Sequence, residues 1–208
     1  MKEIVLNHPL VSHKLSILRS ESTSTKEFRE LISEIAMILC FEALKDATLK
    51  EITIKTPIEK TKGLVIDEND YAFVPILRAG MGMIDGVLSL IPNAKIGHIG
   101  LYRNESTLEP VEYYCKLPKE IEKKTVILLD PMLATGGSAS AAIQMLKKRG
   151  VKKIKFLSIL SAPVGLEKIK KDHDDVEIYT ACVDLKLNEL GYIIPGLGDA
   201  GDRIYGTK

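Results

Sequence analysis

The chain has 208 residues, of which 45% are hydrophobic and 27% charged, so it can form one domain with a full core. Its net charge of +1 argues against a surface for nucleic acids or membranes. Residues 1–4 are followed by Asn7-His8-Pro9 rather than an apolar run, which predicts no signal peptide. Cys40, Cys115 and Cys182 lack CxxC spacing and are typical of reduced thiols. We therefore expect a cytoplasmic protein without a membrane span.

The elements, taken in chain order, predict an α/β fold. Ser24 and Glu27 have capping-box spacing at the start of a helix that runs to about Lys45. Strands are predicted at residues 51–56, 71–77, 96–103, 111–117, 125–130, 153–160 and 176–183, and helices at 83–90, from Gly137 and from Pro163. Strands that alternate with helices indicate a parallel sheet with right-handed crossovers. No linker-like stretch interrupts residues 1–208, so we expect a single domain.

Two segments depart from this alternation. Residues 104–110 have the composition of a turn, so the strands on either side predict a β-hairpin that projects from the sheet. The tail from Asp184 is predicted to be irregular and ends in loops rich in glycine and aspartate.

The most informative segment is residues 126–139, which read V-I-L-L-D-P-M-L-A-T-G-G-S-A. Its apolar run ends at Asp130, as a buried parallel strand ends at the edge of a sheet. The following T-G-G-S precedes a helical pattern, and glycines before a helix let backbone N–H groups close around a phosphate. The helix N-terminus adds a partial positive charge. The pattern predicts a phosphate-binding loop, with an ordinary glycine-rich strand–turn–helix as the alternative.

A second glycine-rich turn, with Arg78, follows the strand at residues 71–77. Ligands of open α/β sheets lie outside the carboxyl ends of the strands, so both turns can face one cleft. An arginine beside backbone amides suits a pyrophosphate. A dinucleotide site is the alternative, but the glycines from Gly80 to Gly86 have the wrong spacing. The G-x-G-x-x-G match at residues 196–201 leaves too few residues for a helix and another strand.

These motifs, with Gly100-Leu-Tyr-Arg103 and the glycine-rich run at residues 191–208, resemble the uracil phosphoribosyltransferase family along essentially the whole chain. The resemblance implies a type I phosphoribosyltransferase fold, which is a Rossmann-like parallel sheet flanked by helices, with the projecting β-hairpin and a C-terminal base-binding hood. It also implies conversion of uracil and 5-phospho-α-D-ribose 1-diphosphate (PRPP) to UMP and diphosphate, a step of UMP salvage.

The resemblance assigns residues to both substrates. Asp130 and Arg103 are the predicted catalytic residues. The predicted PRPP-binding residues are Arg78, Arg103, Asp130, Pro131, Met132, Leu133, Ala134, Thr135, Gly136, Gly137, Ser138 and Asp199. The predicted uracil-binding residues are Ile193, Gly198, Asp199 and Ala200. Uracil presents an N3 donor between two carbonyl acceptors, so backbone groups can distinguish it from cytosine.

The expected cofactor is Mg²⁺, held mainly by PRPP and water, because Pro131 stands where many superfamily members carry a second acid. No residue is predicted as a metal ligand. Arg103 and Lys116 could close over a bound anion, although Lys116 fits a solvated hairpin equally well. The resemblance further implies a homodimer or a larger homo-oligomer, and GTP is an effector of some members.

Two other functions stay open at this point. A regulator built on the same fold would bind PRPP or UMP and control RNA, although the chain lacks a basic composition. A phosphoribosyltransferase for another base would keep the fold and the Asp130 loop but would require a different interpretation of residues 193–200.

Overall fold

The structure, a computed structural model, describes residues 2–103 and 110–207, apart from the side chains of Arg103 and Pro110. The predicted turn after Arg103 lies outside the described residues. Within them, the strands are β1 (Lys2–Val5), β2 (Leu49–Lys55), β3 (Lys60–Ile66), β4 (Tyr71–Leu77), β5 (Lys95–Ile96), β6 (His98–Arg103), β7 (Pro110–Lys116), β8 (Thr125–Leu129), β9 (Met132–Leu133), β10 (Lys153–Ser161), β11 (Glu177–Val183), β12 (Lys186–Leu187) and β13 (Ile193–Ile194). The α-helices are α1 (Pro9–Arg19), α2 (Thr25–Ala43), α3 (Ile84–Leu88), α4 (Gly137–Lys148), α5 (Pro163–Asp172) and α6 (Ala200–Tyr205).

The central sheet has the order β1-β11-β10-β8-β4-β6-β7, and β5 and β9 pair with β4 and β10. All its pairings are parallel except that of β6 with β7. The predicted parallel sheet is therefore confirmed. The strands on either side of residues 104–109 pair as a hairpin, as expected, and form one edge of this sheet.

Helices cover both faces of the sheet. The apolar residues of α1, α2, α3 and α6 pack on one face, and those of α4 and α5 pack on the other. Successive residues of β8 alternate between the two layers, since Val126 and Leu128 belong to one core and Ile127 and Leu129 to the other. Burial on both faces explains why this strand is a continuous apolar run in the sequence.

The cap predicted for the long N-terminal helix is confirmed. The Ser24 hydroxyl accepts a hydrogen bond from the Glu27 N–H at 3.3 Å, and α2 begins at Thr25. No helix among the described residues is long and apolar enough to cross a bilayer.

A second hairpin, formed by β2 and β3, lies outside the central sheet. Its first strand was predicted, but its second was not, because residues 60–66 begin with charged and small side chains. Every residue of β2 is exposed. The hairpin therefore packs little against the rest of the chain.

Candidate active site at the carboxyl edge of the sheet

A cleft of about 260 Å³ opens where β4 and β8 end. Its lining residues are Ala79, Asp130, Met132, Ala134, Gly191, Tyr192, Ile193, Gly198, Asp199, Ala200 and Gly201. The fold thus brings part of the predicted phosphate loop together with all four residues predicted to bind uracil. Four lining residues were not predicted, namely Ala79, Gly191, Tyr192 and Gly201. Their signal in the sequence was the glycine richness of the same two segments.

Asp130 directly follows β8 at the inner end of this cleft. Its N–H donates to the Leu157 carbonyl at 3.2 Å, and its Oδ1 accepts from the Met132 N–H at 3.3 Å. Burial raises the pKa of the carboxyl to about 7, far above its ordinary value, and the Met132 hydrogen bond only partly opposes this. The carboxyl can therefore gain or lose its charge near neutral pH, and a cation in the cleft would favour the charged form.

The loop after Asp130 is anchored to the neighbouring strand. The Pro131 carbonyl accepts from the N–H groups of Ile159 and Leu160, both at 3.0 Å. Leu133 pairs with β10 in the short strand β9 and is buried. The side chains of Pro131 and Leu133 do not line the cleft, so their contribution is to hold the loop in place.

The loop then turns into α4 through Gly136. This residue has a φ of +78° and is the N-cap of α4. Because glycine has no side chain, the N-cap residue cannot itself accept a hydrogen bond from the first N–H groups of the helix. Thr135 is half-buried and Ser138 is exposed beside them. These groups lie where the sequence predicted a phosphate-binding loop, and their role in binding phosphate stays a prediction.

Close packing of the loop on α5 depends on a glycine that no sequence motif indicated. A Cβ on Gly165 would lie 2.5 Å from the Ala134 carbonyl oxygen and 2.9 Å from that of Leu133. Both distances are shorter than van der Waals contact. The absence of a side chain at Gly165 therefore lets the backbone of Leu133 and Ala134 pack directly on α5.

The second glycine-rich turn reaches the same cleft. A Cβ on Gly80 would lie 2.4 Å from the Leu129 carbonyl oxygen, so the turn packs directly on the end of β8 and places Ala79 in the lining. The Arg78 guanidinium lies over the Tyr205 ring, 5.7 Å from its centroid, and the Tyr205 hydroxyl donates to the Arg78 carbonyl at 2.9 Å. The peptide bond before Arg78 is cis.

The tail is more ordered than the sequence indicated. β12 and β13 form an antiparallel pair, and α6 begins after Asp199. The Asp199 Oδ1 accepts from the Asp202 N–H at 2.9 Å, and Gly198 adopts a φ of +83°. The tail thus contributes two short stretches to the cleft lining, residues 191–193 and 198–201.

The two cations of the β6–β7 hairpin differ in position. Arg103 ends β6 at the carboxyl edge, but its side chain lies outside the described part of the chain, so its role stays a prediction. Lys116 pairs with His98 at the other end of the β6–β7 hairpin, because β7 is antiparallel to β6. There it lines a separate cleft of about 860 Å³. The position of Lys116 therefore favours the solvated hairpin over closure on an anion beside Asp130.

The central sheet is parallel except at one edge, and the loop after Asp130, the second glycine-rich turn and the C-terminal tail meet at one cleft. This arrangement is that of the type I phosphoribosyltransferases. A family model described as uracil phosphoribosyltransferase matches residues 5–207. The uracil phosphoribosyltransferase of Clostridium botulinum strain Eklund 17B is 60% identical over 207 residues, covering 100% of this chain and 99% of that protein. The chain belongs to the uracil phosphoribosyltransferase family.

Two solved structures show how far the fold is shared. The AQ2163 protein of Aquifex aeolicus superposes with a TM-score of 0.94 at 43% identity, covering 99% of both chains. A hypoxanthine-guanine phosphoribosyltransferase of Bacillus anthracis gives a TM-score of 0.50 at 13% identity, covering 74% of this chain and 78% of that one. The second comparison supports the fold alone.

Proposed function

We propose that the protein transfers the 5-phosphoribosyl group of PRPP to N1 of uracil and releases diphosphate, giving UMP for pyrimidine salvage. The observation that carries the proposal is the shared cleft, in which Asp130 and the loop before α4 face the glycine-rich tail. The whole-length similarity to proteins named uracil phosphoribosyltransferase supports the choice of base.

In the proposed reaction, the bond between C1 of the ribose and the diphosphate oxygen breaks ahead of attack. Its electron pair leaves with diphosphate, and positive charge develops on the sugar ring. N1 of uracil forms the new bond, and its proton passes to solvent or to the released diphosphate. No covalent nucleophile is required. Positioning and electrostatic stabilisation supply the acceleration.

Each predicted residue has a place in this scheme. The Asp130 carboxylate would accept from the ribose hydroxyls and face the developing positive charge. The loop at residues 131–138 and the N-terminus of α4 would bind the 5′-phosphate through backbone N–H groups and hydroxyls. Arg78 and, as a prediction, Arg103 would bind the diphosphate, and Asp199 would face PRPP from the tail.

Backbone groups at Ile193 and at residues 198–200 would recognise the base. One carbonyl would accept from N3, and neighbouring N–H groups would donate to the uracil carbonyls. Cytosine would set acceptor against acceptor at N3 and donor against donor at C4. A buried site that leaves such groups unpaired can discriminate by about 10⁴-fold.

The donor set suits a Mg²⁺ that is held mainly by its substrate. Within residues 2–103 and 110–207, no group of three or more carboxylate, histidine or cysteine side chains could hold a metal ion. Mg²⁺ commonly keeps several waters and binds through substrate phosphates, so PRPP oxygens and water would hold it here. When bound, the cation neutralises charge on the departing diphosphate.

The proposal is tested by measuring diphosphate release from PRPP and Mg²⁺ with uracil, cytosine, hypoxanthine and orotate in separate reactions. Release with uracil alone supports both the phosphate loop and the base-recognising tail. Release with another base instead would overturn the interpretation of residues 193–200. PRPP binding without turnover on any base, together with RNA binding, would make a regulator the better interpretation. Adding GTP to the uracil reaction tests the predicted effector.

We expect Gly165→Ala to raise the KM for PRPP several-fold and to lower the free energy of unfolding by about 1–3 kcal/mol. The added methyl group would press on the Ala134 carbonyl and displace the phosphate loop. Gly97→Ala is the control, because its Cβ would press on the Leu117 and Pro118 side chains outside the cleft. Steady-state kinetics and urea unfolding measure both effects. An unchanged KM for PRPP in Gly165→Ala would contradict the role given to this contact.

Self-association through the β2–β3 hairpin is the proposed oligomeric contact. An isolated two-stranded hairpin is marginal in water, yet this one exposes Ile52, Ile54, Leu64 and Val65, and Ile58 at its turn is 94% exposed. Burying these side chains against a second copy would remove apolar surface from water and stabilise the hairpin.

We expect the wild-type protein to sediment as a dimer or larger oligomer and Leu64→Lys to shift it toward monomer. Val164→Lys, at an apolar position on α5 that is 49% exposed, should leave the oligomeric state unchanged. Analytical ultracentrifugation of the three proteins makes the comparison. A monomeric wild type at micromolar concentration would contradict the proposed contact.

A cytoplasmic location completes the proposal. Cys40, Cys115 and Cys182 are all free thiols, and Cys40 is buried. Free thiols suit a reducing compartment.

A further inference from the structure

A partly buried ion pair contacts the tail that is proposed to bind the base. Arg19, the last residue of α1, donates to both carboxylate oxygens of Asp184, at 2.7 and 2.6 Å. Asp184 directly follows β11, and its side chain is only 5% exposed. The pair therefore joins the N-terminal helix to the point where the chain leaves the sheet and enters the tail.

The backbone N–H and carbonyl groups of Gly196, in the tail, both form hydrogen bonds with this pair. Arg19 also donates to the Gly196 carbonyl at 2.8 Å, and the Gly196 N–H donates to the Asp184 carboxylate at 2.9 Å. Gly196 has a φ of +63°, and a Cβ there would lie 2.1 Å from the Ile193 carbonyl oxygen. Fixing Gly196 therefore fixes its close approach to the backbone of Ile193, which lines the cleft.

The Asp184 carboxyl is held in its charged form, so the ion pair with Arg19 persists. Burial by itself would raise the pKa of the Asp184 carboxyl, but the hydrogen bonds from Arg19 and from the Gly196 N–H outweigh it and lower the pKa. A buried ion pair generally adds little net stability over apolar side chains of the same size, and its best-attested use is to specify one arrangement. The arrangement specified here is the path of residues 193–198.

We infer that Arg19 and Asp184 are positioning residues that hold the base-recognising backbone in its binding geometry before the base arrives, and so set the affinity and selectivity for the pyrimidine. Neither side chain lines the cleft, so the effect passes through Gly196. The inference rests on the proposed function, because it takes residues 193–200 as the part that recognises the base.

The first test is Arg19→Lys. A lysine can keep an ion pair with Asp184 but cannot form the two parallel bonds and reach the Gly196 carbonyl at once. The KM for uracil should rise about tenfold or more, while the KM for PRPP changes by less than about twofold. The preference for uracil over cytosine should fall in parallel, which a general loss of stability would not produce.

Lys14→Met is the matched control. Lys14 lies on the same helix and pairs with Glu34 at 2.5 Å, but it does not touch the tail. Its removal should leave the KM for uracil unchanged even if the melting temperature falls.

The double variant Arg19→Met/Asp184→Leu separates positioning from stability. Replacing both partners with apolar side chains avoids leaving a buried charge unpaired. The melting temperature of the double variant should therefore lie closer to that of the wild type than the melting temperature of a variant that removes only one partner. The KM for uracil should stay high, because Gly196 has lost both partners. Recovery of the KM together with the melting temperature would overturn the inference.

The proposed function and the positioning role are contradicted by different results. A wild type that releases diphosphate with another base, or with none, contradicts the proposed function. A wild type that uses uracil, combined with an unchanged KM for uracil in Arg19→Lys, overturns only the positioning role.

Discussion

Asp130→Asn is expected to lower kcat for UMP formation by about 10²–10³-fold while the protein still unfolds cooperatively. The amide is nearly isosteric and can still accept the hydrogen bond from the Met132 N–H, so the loop should keep its path. It lacks the negative charge that would face the positive sugar ring in the transition state. Losing one preorganised electrostatic group in a buried site typically costs this much.

The measurement is kcat at saturating uracil and PRPP, with a thermal melt of each protein. A kcat within about threefold of the wild-type value would remove Asp130 from the reaction. A large loss of cooperativity on melting would show instead that the carboxylate is structural.

The same variant carries a prediction about stability and pH. Because burial raises the pKa of Asp130 to about 7, the folded state binds this proton more tightly than the unfolded state does. The contribution of Asp130 to the free energy of unfolding is therefore fully present below about pH 4 and is lost as the pH rises toward 7. The asparagine amide does not ionise, so Asp130→Asn should become more stable relative to the wild type over this interval.

Over this interval, the free energy of unfolding of Asp130→Asn should rise relative to that of the wild type by an amount on the order of 2–4 kcal/mol, since each unit of pKa shift corresponds to about 1.4 kcal/mol. Urea unfolding of the two ligand-free proteins at about pH 4 and about pH 8, on either side of this interval, gives the comparison. A difference in stability that does not change with pH would contradict the raised pKa.

Gly198→Ala is expected to raise the KM for uracil about tenfold or more, with a smaller change in the KM for PRPP. Gly198 has a φ of +83°, and only the Arg203 side chain comes within 4 Å of an added Cβ, at 3.9 Å. The methyl group would therefore cause little crowding, and the effect should come from backbone that moves away from the left-handed region. That movement would carry the groups that recognise the base out of position.

Gly150→Ala controls for the backbone strain. Gly150 has a φ of +84° and lies beyond α4, outside the cleft. Gly198→Ala should lose about 1–2 kcal/mol of stability, and Gly150→Ala at least as much, because its Cβ would also lie 3.1 Å from the Glu122 Cβ. Only Gly198→Ala should raise the KM for uracil. If Gly198→Ala impaired PRPP and left uracil unaffected, the tail would have been misassigned.

The sequence by itself determined the parts of this protein that depend on neighbouring residues. The apolar run before Asp130, the glycines before α4 and the capping pair of Ser24 and Glu27 each encode their structure over a few positions. Burial on two faces requires a continuous apolar strand, and a positive φ favours glycine, so both features leave a signal in the sequence. The family resemblance added a predicted base-binding role for residues 193–200, of which Ile193 and residues 198–200 line the same cleft as Asp130.

Only the tertiary structure decided how distant segments meet. Lys116 lines a different cleft from Asp130, and the residues that surround each end of the predicted hairpin are not encoded in the hairpin itself. Gly165, Tyr205 and the Arg19–Asp184 pair contact residues far away in the sequence, across as many as 165 positions for the ion pair, and no local pattern marks such partners. Their roles follow from packing, which depends on the whole path of the chain, whereas strands, caps and turns follow from short-range sterics and hydrogen bonding.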